Sequence, residues 1–454
     1  MRGGWWLPQK DSDTVAGELS FSERGIRLVL DGHFDIPEFR DPTTLFGSRY
    51  KAPIILGRTV DGESCMLLRS VISGFSGGSR SFAPRYLLIS EGPLGDCEPQ
   101  IAEVLVHYSH LEDWGSKQLV RTDRGAAPGT FNIVVPTNRV ETLKVESDIG
   151  FQSLTLWTAV AQQFKPGEVH LAHRSHFEAV FHLPETIDST THFVGLLADL
   201  LTLLIGETAY VTKVRVIPKS EGAHPPIIDV FSSWVRGDSG PVRAPEMCCP
   251  LDRLSSEERA IFASWFKHAE ELKPVYDLLL STTRSAKTHL QMDFLNLIQA
   301  LETFHRRVYG GQITSDQDYD AVRVVLRNAI PSGTAPELAE KLKSLLDYGN
   351  ELSLKKRLTH LCRTLKRESV ESLLGVSEDG VARFLQLLVD MRNFRTHYDE
   401  KLRSRVREIS QDLVAAYNVN LRLRAFTTLL LLTHLGLEET KLATGLSSQL
   451  HLAF

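Results

Sequence analysis

Through the first half of the chain apolar and polar residues alternate in short runs, the period of two that marks β-strands. Such runs fall at 19–21, 26–30, 54–60, 65–70, 86–89, 104–107, 131–135 and 140–145, then at 169–172, 177–181 and 210–217. Turn residues separate them at short intervals. Ser22-Glu23-Arg24-Gly25 divides the first pair, and Asp61-Gly62, suited to the positive φ angles of a tight hairpin, divides the second. Many short strands with frequent turns suggest a sandwich or a meander. One amphipathic helix interrupts them at 189–205. A stretch at 236–256 holding Gly237, Gly240, Pro241, Pro245 and Pro250 reads as a linker.

Beyond the linker the period becomes 3.6. Ser255 and Glu258 make a capping box, hydroxyl and carboxylate each satisfying a free N–H at a helix start. Helices are predicted at 256–271, 273–284, 287–309, 318–330, 336–348, 353–367, 380–397 and 400–435. Long helices with short connections imply an antiparallel bundle. The fold class is therefore α+β, a β-rich, sandwich-like N-terminal region followed by an all-α C-terminal bundle. Three parts are expected: a β-rich domain at 1–160, a second α+β unit at 161–245 and a helical domain at 254–454.

Composition adds compartment and charge. An apolar fraction of 42% with 24% charged residues over 454 positions excludes wholesale disorder and fibrous repeats. The net charge of −5 argues against a nucleic-acid binder, but the average hides a split. Residues 1–252 carry 23 Lys+Arg against 31 Asp+Glu, and residues 253–454 carry 28 against 25. The base lies in the helical part. Five cysteines without a C-x-x-C pair suit a reducing compartment. The N-terminus lacks the apolar run of a signal peptide, and the two most apolar stretches, 193–205 and 425–437, are too short to span a bilayer. A cytoplasmic protein without membrane contact is expected.

The sharpest chemical feature is Met391-Arg392-Asn393-Phe394-Arg395-Thr396-His397-Tyr398. Phe384, Leu387, Leu388, Met391, Phe394 and Tyr398 form the apolar stripe of its helix. At 100° per residue Arg392, Asn393 and His397 fall off that stripe, and Asn393 and His397 are i, i+4 neighbours. An imidazole, a guanidinium and an amide able to hold one of them still would suit acid–base chemistry on an anion. The same residues would also suit a solvated helix end, where cations favour the negative pole of the helix dipole.

R-N-x-x-x-H late in a helical bundle resembles the signature of the HEPN ribonuclease superfamily. With the upstream helix Phe294-Leu295-Asn296-Leu297-Ile298-Gln299-Ala300-Leu301-Glu302-Thr303-Phe304-His305-Arg306, the chain looks like the Apea-like HEPN group. The β-rich half, opening with Gly4-Trp5-Trp6-Leu7-Pro8 and a Gly17-Glu18-Leu19 strand, is similar to the N-terminal domain of the ApeA anti-phage proteins. The resemblance implies a metal-independent endoribonuclease of abortive infection, with no cofactor, leaving 2′,3′-cyclic phosphate and 5′-OH ends. It implies His397 as general base or acid, Arg392 as stabiliser of transition-state charge and Asn393 as orienting group. It also implies a homodimer or larger homo-oligomer with the site at a two-fold interface, RNA (tRNA among the candidates) as substrate, and a phage-derived trigger read by the N-terminal half. Glu302 would support the site, or pair with Arg306 one turn on. His305 falls inside its helix's apolar stripe and is expected to be a core histidine.

Lys355, Lys356, Arg357, Arg363, Lys366 and Arg367 lie within 13 residues that hold no acid. Arg395, Lys401, Arg403, Arg405 and Arg407 surround the motif. Cations at this density favour a polyanion by counterion release, although each cluster would also suit a solvated helix face. Lys355, Lys356, Arg357, Arg363, Lys366, Arg367, Arg395 and Arg403 are the expected RNA contacts.

Other motifs are weaker. Gly74-Phe75-Ser76-Gly77-Gly78 matches a nucleophile elbow but lacks the helix that must follow, and a flexible loop is expected there. Gly237-Asp238-Ser239-Gly240-Pro241 is similar to serine-protease sequence and reads as linker. His170, His173 and His176 with Cys97 or Cys248-Cys249 would be the residues for a structural zinc, but in a strand His173 faces away from the other two. The rival to catalysis is a non-catalytic, ligand- or protein-binding dimer in which the bundle only dimerises.

Overall fold

A computed structural model describes residues 1–22, 25–35, 51–76, 78–115, 119–124, 131–220, 222, 225–232, 242–243, 246–284 and 289–452. The chain divides into two compact units, Met1–Lys267 and His268–Phe454. As the periodicities predict, the first is β-rich and the second helical.

The first unit contains β1 (Arg2–Trp6), β2 (Val15–Ser22), β3 (Gly25–Leu30), β4 (Lys51–Thr59), β5 (Ser64–Ser76), β6 (Ser79–Ala83), β7 (Tyr86–Ser90) and β8 (Ile101–Tyr108). A short helix α1 (Leu111–Trp114) precedes β9 (Arg121–Arg124), β10 (Phe131–Val134), β11 (Val140–Glu146), β12 (Ser153–Lys165) and β13 (Glu168–Glu185). Then come α2 (Ile187–Ile205), β14 (Val211–Pro218) and β15 (Ile228–Ser232). Thirteen of these strands make one antiparallel sheet, while β9 and β10 pair by themselves.

The thirteen strands are joined by hydrogen bonds into a single sheet. At one end β1, β2, β3, β6, β5 and β4 pair in sequence, and β4 returns to β1, so six strands close a ring. The long β5 makes this work. Its first half pairs with β7 and its second half, from Val71 on and with a register shift between Ile72 and Gly74, pairs with β6. The ring is filled by Trp5, Leu19, Ile26, Leu28, Leu30, Ile55, Cys65, Leu67 and Phe82. Gly57 faces the Trp5 indole, which a Cβ at that position would overlap, so the ring closes over a tryptophan only where the opposing strand has no side chain. From β7 the sheet continues open through β15, β14, β8, β13, β12 and β11. Residue 160, expected to end a first domain, lies inside β12, which pairs with β13 along its length, so residues on both sides share this sheet.

Helix α2 covers the open limb. Thr186 caps it by accepting from the Ser189 N–H (3.2 Å), and Gly206, at φ 89°, ends it. Tyr108 Oη donates to the Val194 carbonyl (2.9 Å) and Trp265 Nε1 to that of Leu196 (2.9 Å). At 19 residues α2 is longer than the apolar stretch at 193–205 and is long and apolar enough to cross a membrane, but 61% of that span is buried in the fold.

The Asp61-Gly62 hairpin forms, with Gly62 at φ 92°. Of the Gly74–Gly78 segment, expected as a flexible loop, Gly74, Phe75 and Ser76 belong to β5, and Ser76 pairs with Ser79 of β6. The Gly237–Pro241 segment lies outside the described residues, as do positions 236, 244 and 245 of the expected linker.

The helices are α3 (Ile261–Arg284), α4 (Leu290–Tyr309), α5 (Asp316–Asn328), α6 (Pro336–Asp347), α7 (Leu354–Arg363), α8 (Arg367–Leu374), α9 (Glu378–His397), α10 (Glu400–Gln411), α11 (Leu413–His434) and α12 (Glu439–Leu452). The capping box at Ser255 and Glu258 is reciprocal (2.9 and 3.2 Å), but it opens a single 3₁₀ turn before α3. Several helix boundaries differ from expectation, and α12 lies beyond the last predicted helix. Helix α3 runs through Pro274 without a break, the predicted helix at 353–367 stops at Arg363, α8 follows separately, and α10 and α11 are split at Asp412. At the centre α4 packs on α11, where Asn420 Nδ2 donates to the Leu290 carbonyl (2.8 Å) and Phe294, Leu297, Leu301, Leu423, Phe426 and Leu430 are buried. Neither α5 nor α6 has a buried residue, and Val322, Val325, Leu338 and Leu345 are exposed.

Candidate active site

Helix α9 carries the motif in its last two turns. Its inward face is Leu385, Leu388 and Met391, joined by Arg395, whose guanidinium lies 4.8 Å from the Phe294 ring centre on α4. The apolar stripe expected from the sequence is thus turned by roughly 60° toward Arg392. Tyr398, placed at the end of that stripe, is instead 72% exposed and in the left-handed region at φ 52°, closing α9 with an N–H to the Phe394 carbonyl (2.7 Å). The cause is packing from more than one side. Helix α10 also lies against α9, and buried Asp390 accepts from Gln386 Nε2 (2.9 Å) and faces Arg405 Nη1 (3.6 Å).

This rotation decides the exposure of the motif. Arg392 is half-buried, and its Nη1 donates to Asn393 Oδ1 (3.1 Å). Asn393 therefore holds the guanidinium and not the imidazole. One turn on, His397 is exposed and has no hydrogen-bond partner among the described residues. The last turns of α9 thus carry an oriented guanidinium and, roughly 140° further round the helix, a free imidazole. Such a pair can hold an anion and move a proton.

The expected RNA contacts separate into three groups. Arg357 is 1% exposed and structural: its Nε donates to the Leu352 carbonyl (2.9 Å) and its Nη2 to the Gly311 carbonyl (3.3 Å), with Glu351 at 3.4 Å. Arg395 is also turned inward, and burial lowers its guanidinium pKa. Lys366, Arg367 and Arg403 already have carboxylate partners, Glu438 for the first (3.7 Å), Glu371 and Glu378 for the second (2.9 and 2.6 Å), and Glu400 for the third (3.0 Å). Lys355, Lys356 and Arg363 form no ion pair among the described residues. A charge run says nothing about which cations find partners, because those partners come from distant segments.

Glu302 lies 3.6 Å from Arg306, which also meets Glu351 at 3.0 Å. It touches none of Arg392, Asn393 and His397, so the i, i+4 alternative is the one realised. His305 is buried as expected, yet neither ring nitrogen has a partner. Its ring centre is 5.0 Å from that of His360 and 5.6 Å from that of Tyr309. Tyr309 and His360 were not singled out by sequence, and only the i, i+4 spacing of His305 and Tyr309 hinted at a shared surface.

Of the histidines considered for zinc, His170 meets Glu168 (3.2 Å), whereas His176 stacks against His107 with ring centres 5.2 Å apart. Burial pushes both His107 and His176 down to about 4. Among the described residues no three His, Cys, Asp or Glu side chains are placed to hold a metal ion.

A family model described as ApeA N-terminal domain 1 matches residues 1–265, and one described as Apea-like HEPN matches residues 295–441, a span that contains Arg392, Asn393 and His397. No curated protein and no solved structure matches the chain.

Proposed function

The chain belongs to the ApeA family with an Apea-like HEPN domain, and on that premise we propose that it is a metal-independent endoribonuclease of anti-phage defence. HEPN domains are generally ribonucleases and often dimerise. The observation that carries the reading is the Arg392–Asn393 pair with the unpartnered imidazole of His397 one turn beyond it. His397 takes the proton from a ribose 2′-OH, or gives one to the departing 5′-oxygen, as the 2′-oxygen attacks phosphorus and the P–O5′ bond breaks. Arg392, held by Asn393, faces the extra negative charge of the pentacoordinate transition state. The products are a 2′,3′-cyclic phosphate and a 5′-OH, with no water consumed. A second copy across a two-fold axis supplies the other proton-transfer group. Lys355, Lys356 and Arg363 hold flanking phosphates, single-stranded loops such as those of tRNA are the favoured target, and a phage-derived trigger acts through the N-terminal unit.

End-group analysis of RNA from cells expressing the protein tests this. Cyclic-phosphate ends are expected with the wild type, and Arg392→Ala and His397→Ala each lower their yield by about 10²-fold or more. If the triggered protein cuts no RNA, or His397→Ala cuts as fast as wild type, the reading is wrong.

One feature favours a second reading, a bundle that binds a protein partner without catalysis. The exposed Val322, Val325, Leu338 and Leu345 on α5 and α6 are an apolar surface of the kind partners cover. In that case Arg392→Ala and His397→Ala leave defence intact, while charged substitutions on α5 and α6 abolish it.

A further inference from the structure

Between the end of α4 and α7 lies an open cavity of about 610 Å³, lined among others by His305, Tyr309, Lys355, Lys356, His360 and Arg363. It is separate from the motif: eleven helical residues, roughly 16 Å of helix axis, separate His305 from Phe294, where Arg395 packs. Its wall holds both halves of a ligand's chemistry. On one side are aromatic rings, Tyr309 and His360 with centres 4.9 Å apart, both exposed to the cavity mouth. On the other are the three cations left without carboxylate partners.

Two observations point to a ligand-binding role for this cavity. His305 is 1% exposed, and both of its ring nitrogens lack a hydrogen-bond partner, an unfavourable state for a buried polar group. Burial, with His360 and Arg357 nearby, pushes it down to about 4, so at neutral pH the ring offers one donor and one acceptor. The second is the start of α7. Ser353 caps it, no acid occupies its first turn, and Lys355 and Lys356 stand there instead, at the pole where the helix dipole disfavours cations. A sequence selected only for helix stability would place acids there. Cations gathered at that pole, where the helix dipole favours an anion, make an anion site.

We propose that this cavity binds a single nucleotide, its base against Tyr309 and His360 with an edge reaching His305, and its phosphate on Lys355, Lys356 and Arg363. Aromatic faces accept any base, and the buried imidazole supplies an edge contact. The site shares its cations with the RNA grip proposed above but needs no chemistry at His397, so the binding assay and the end-group assay can fail separately.

The test is calorimetric titration of the full chain, carrying His397→Ala to prevent cleavage, with AMP, adenosine, inorganic phosphate and a short single-stranded oligoadenylate. AMP is expected to bind at least tenfold more tightly than adenosine or phosphate. The exposed double variant Lys356→Ala/Arg363→Ala should weaken AMP at least tenfold, and the ring signals of His305 and His360 in NMR should shift on saturation. An oligomer that binds tenfold or more tighter than AMP makes the cavity a strand subsite. Equal affinity makes it a site for free nucleotide. The proposal is overturned if AMP and the oligomer both fail to bind, if the double variant binds them as wild type does, or if the two histidine signals do not move.

Discussion

Lys356 and Arg357 are neighbours on α7, yet a helix turns 100° per residue and the two side chains end in opposite environments. Lys356 reaches the cavity, while Arg357 is buried and braces the Gly311 and Leu352 carbonyls. The positive φ of Gly311 (154°) and its missing Cβ let the guanidinium lie against the backbone, which a side chain there would overlap. Arg357→Ala removes charged hydrogen bonds inside the fold and is expected to cost about 3 kcal/mol. Lys356→Ala should leave stability within about 0.5 kcal/mol and weaken RNA binding instead. Denaturant unfolding and RNA titration of the two variants separate the roles, and equal stability of the two would refute the assignment of Arg357.

At the scale of elements, sequence patterning located the helices better than their ends. The apolar period carries straight from 400 to 435, yet the chain breaks at Asp412, whose carboxylate accepts from the N–H groups of Val414 (2.8 Å) and Ala415 (3.2 Å). An N-cap aspartate is readable in principle, but a periodic pattern on both sides concealed it. Asp412→Ala is expected to lower stability by about 1 kcal/mol in thermal or denaturant unfolding, and no change would mean that the break is held by tertiary packing alone. Pro274 is the converse case. It looked like a boundary, but residues on both sides of it, Leu272, Val275 and Tyr276, are buried, and such packing offsets the missing rung of the helix. For α9, the single-stripe rule assumes one packed face, and a helix packed from several sides violates it.

At the scale of the whole molecule, the net charge of −5 is a poor guide to partners, because a sum over the chain does not say which cations the fold gathers on one surface. If Lys355, Lys356 and Arg363 hold three phosphates of a single strand, log affinity should fall with log salt at a slope of about −2. Lys355→Ala/Lys356→Ala should reduce that slope to about −0.7, measured by fluorescence titration between about 50 and 200 mM salt. A slope unchanged by the double substitution would place the phosphate contacts elsewhere.

The sequence by itself determined the β-rich and helical halves, the tight hairpin at Asp61-Gly62, the capping box at Ser255, the family and the motif from Arg392 to His397. These depend on neighbours within a few residues or on short motifs, so they survive in a one-dimensional reading. The closed six-stranded ring, the inward turn of Arg357 and Arg395, the pairing of Asn393 with Arg392 and the cavity around His305 were decided only by the tertiary structure. Each depends on which distant segments meet, and hydrophobic pattern constrains that burial without naming the partner.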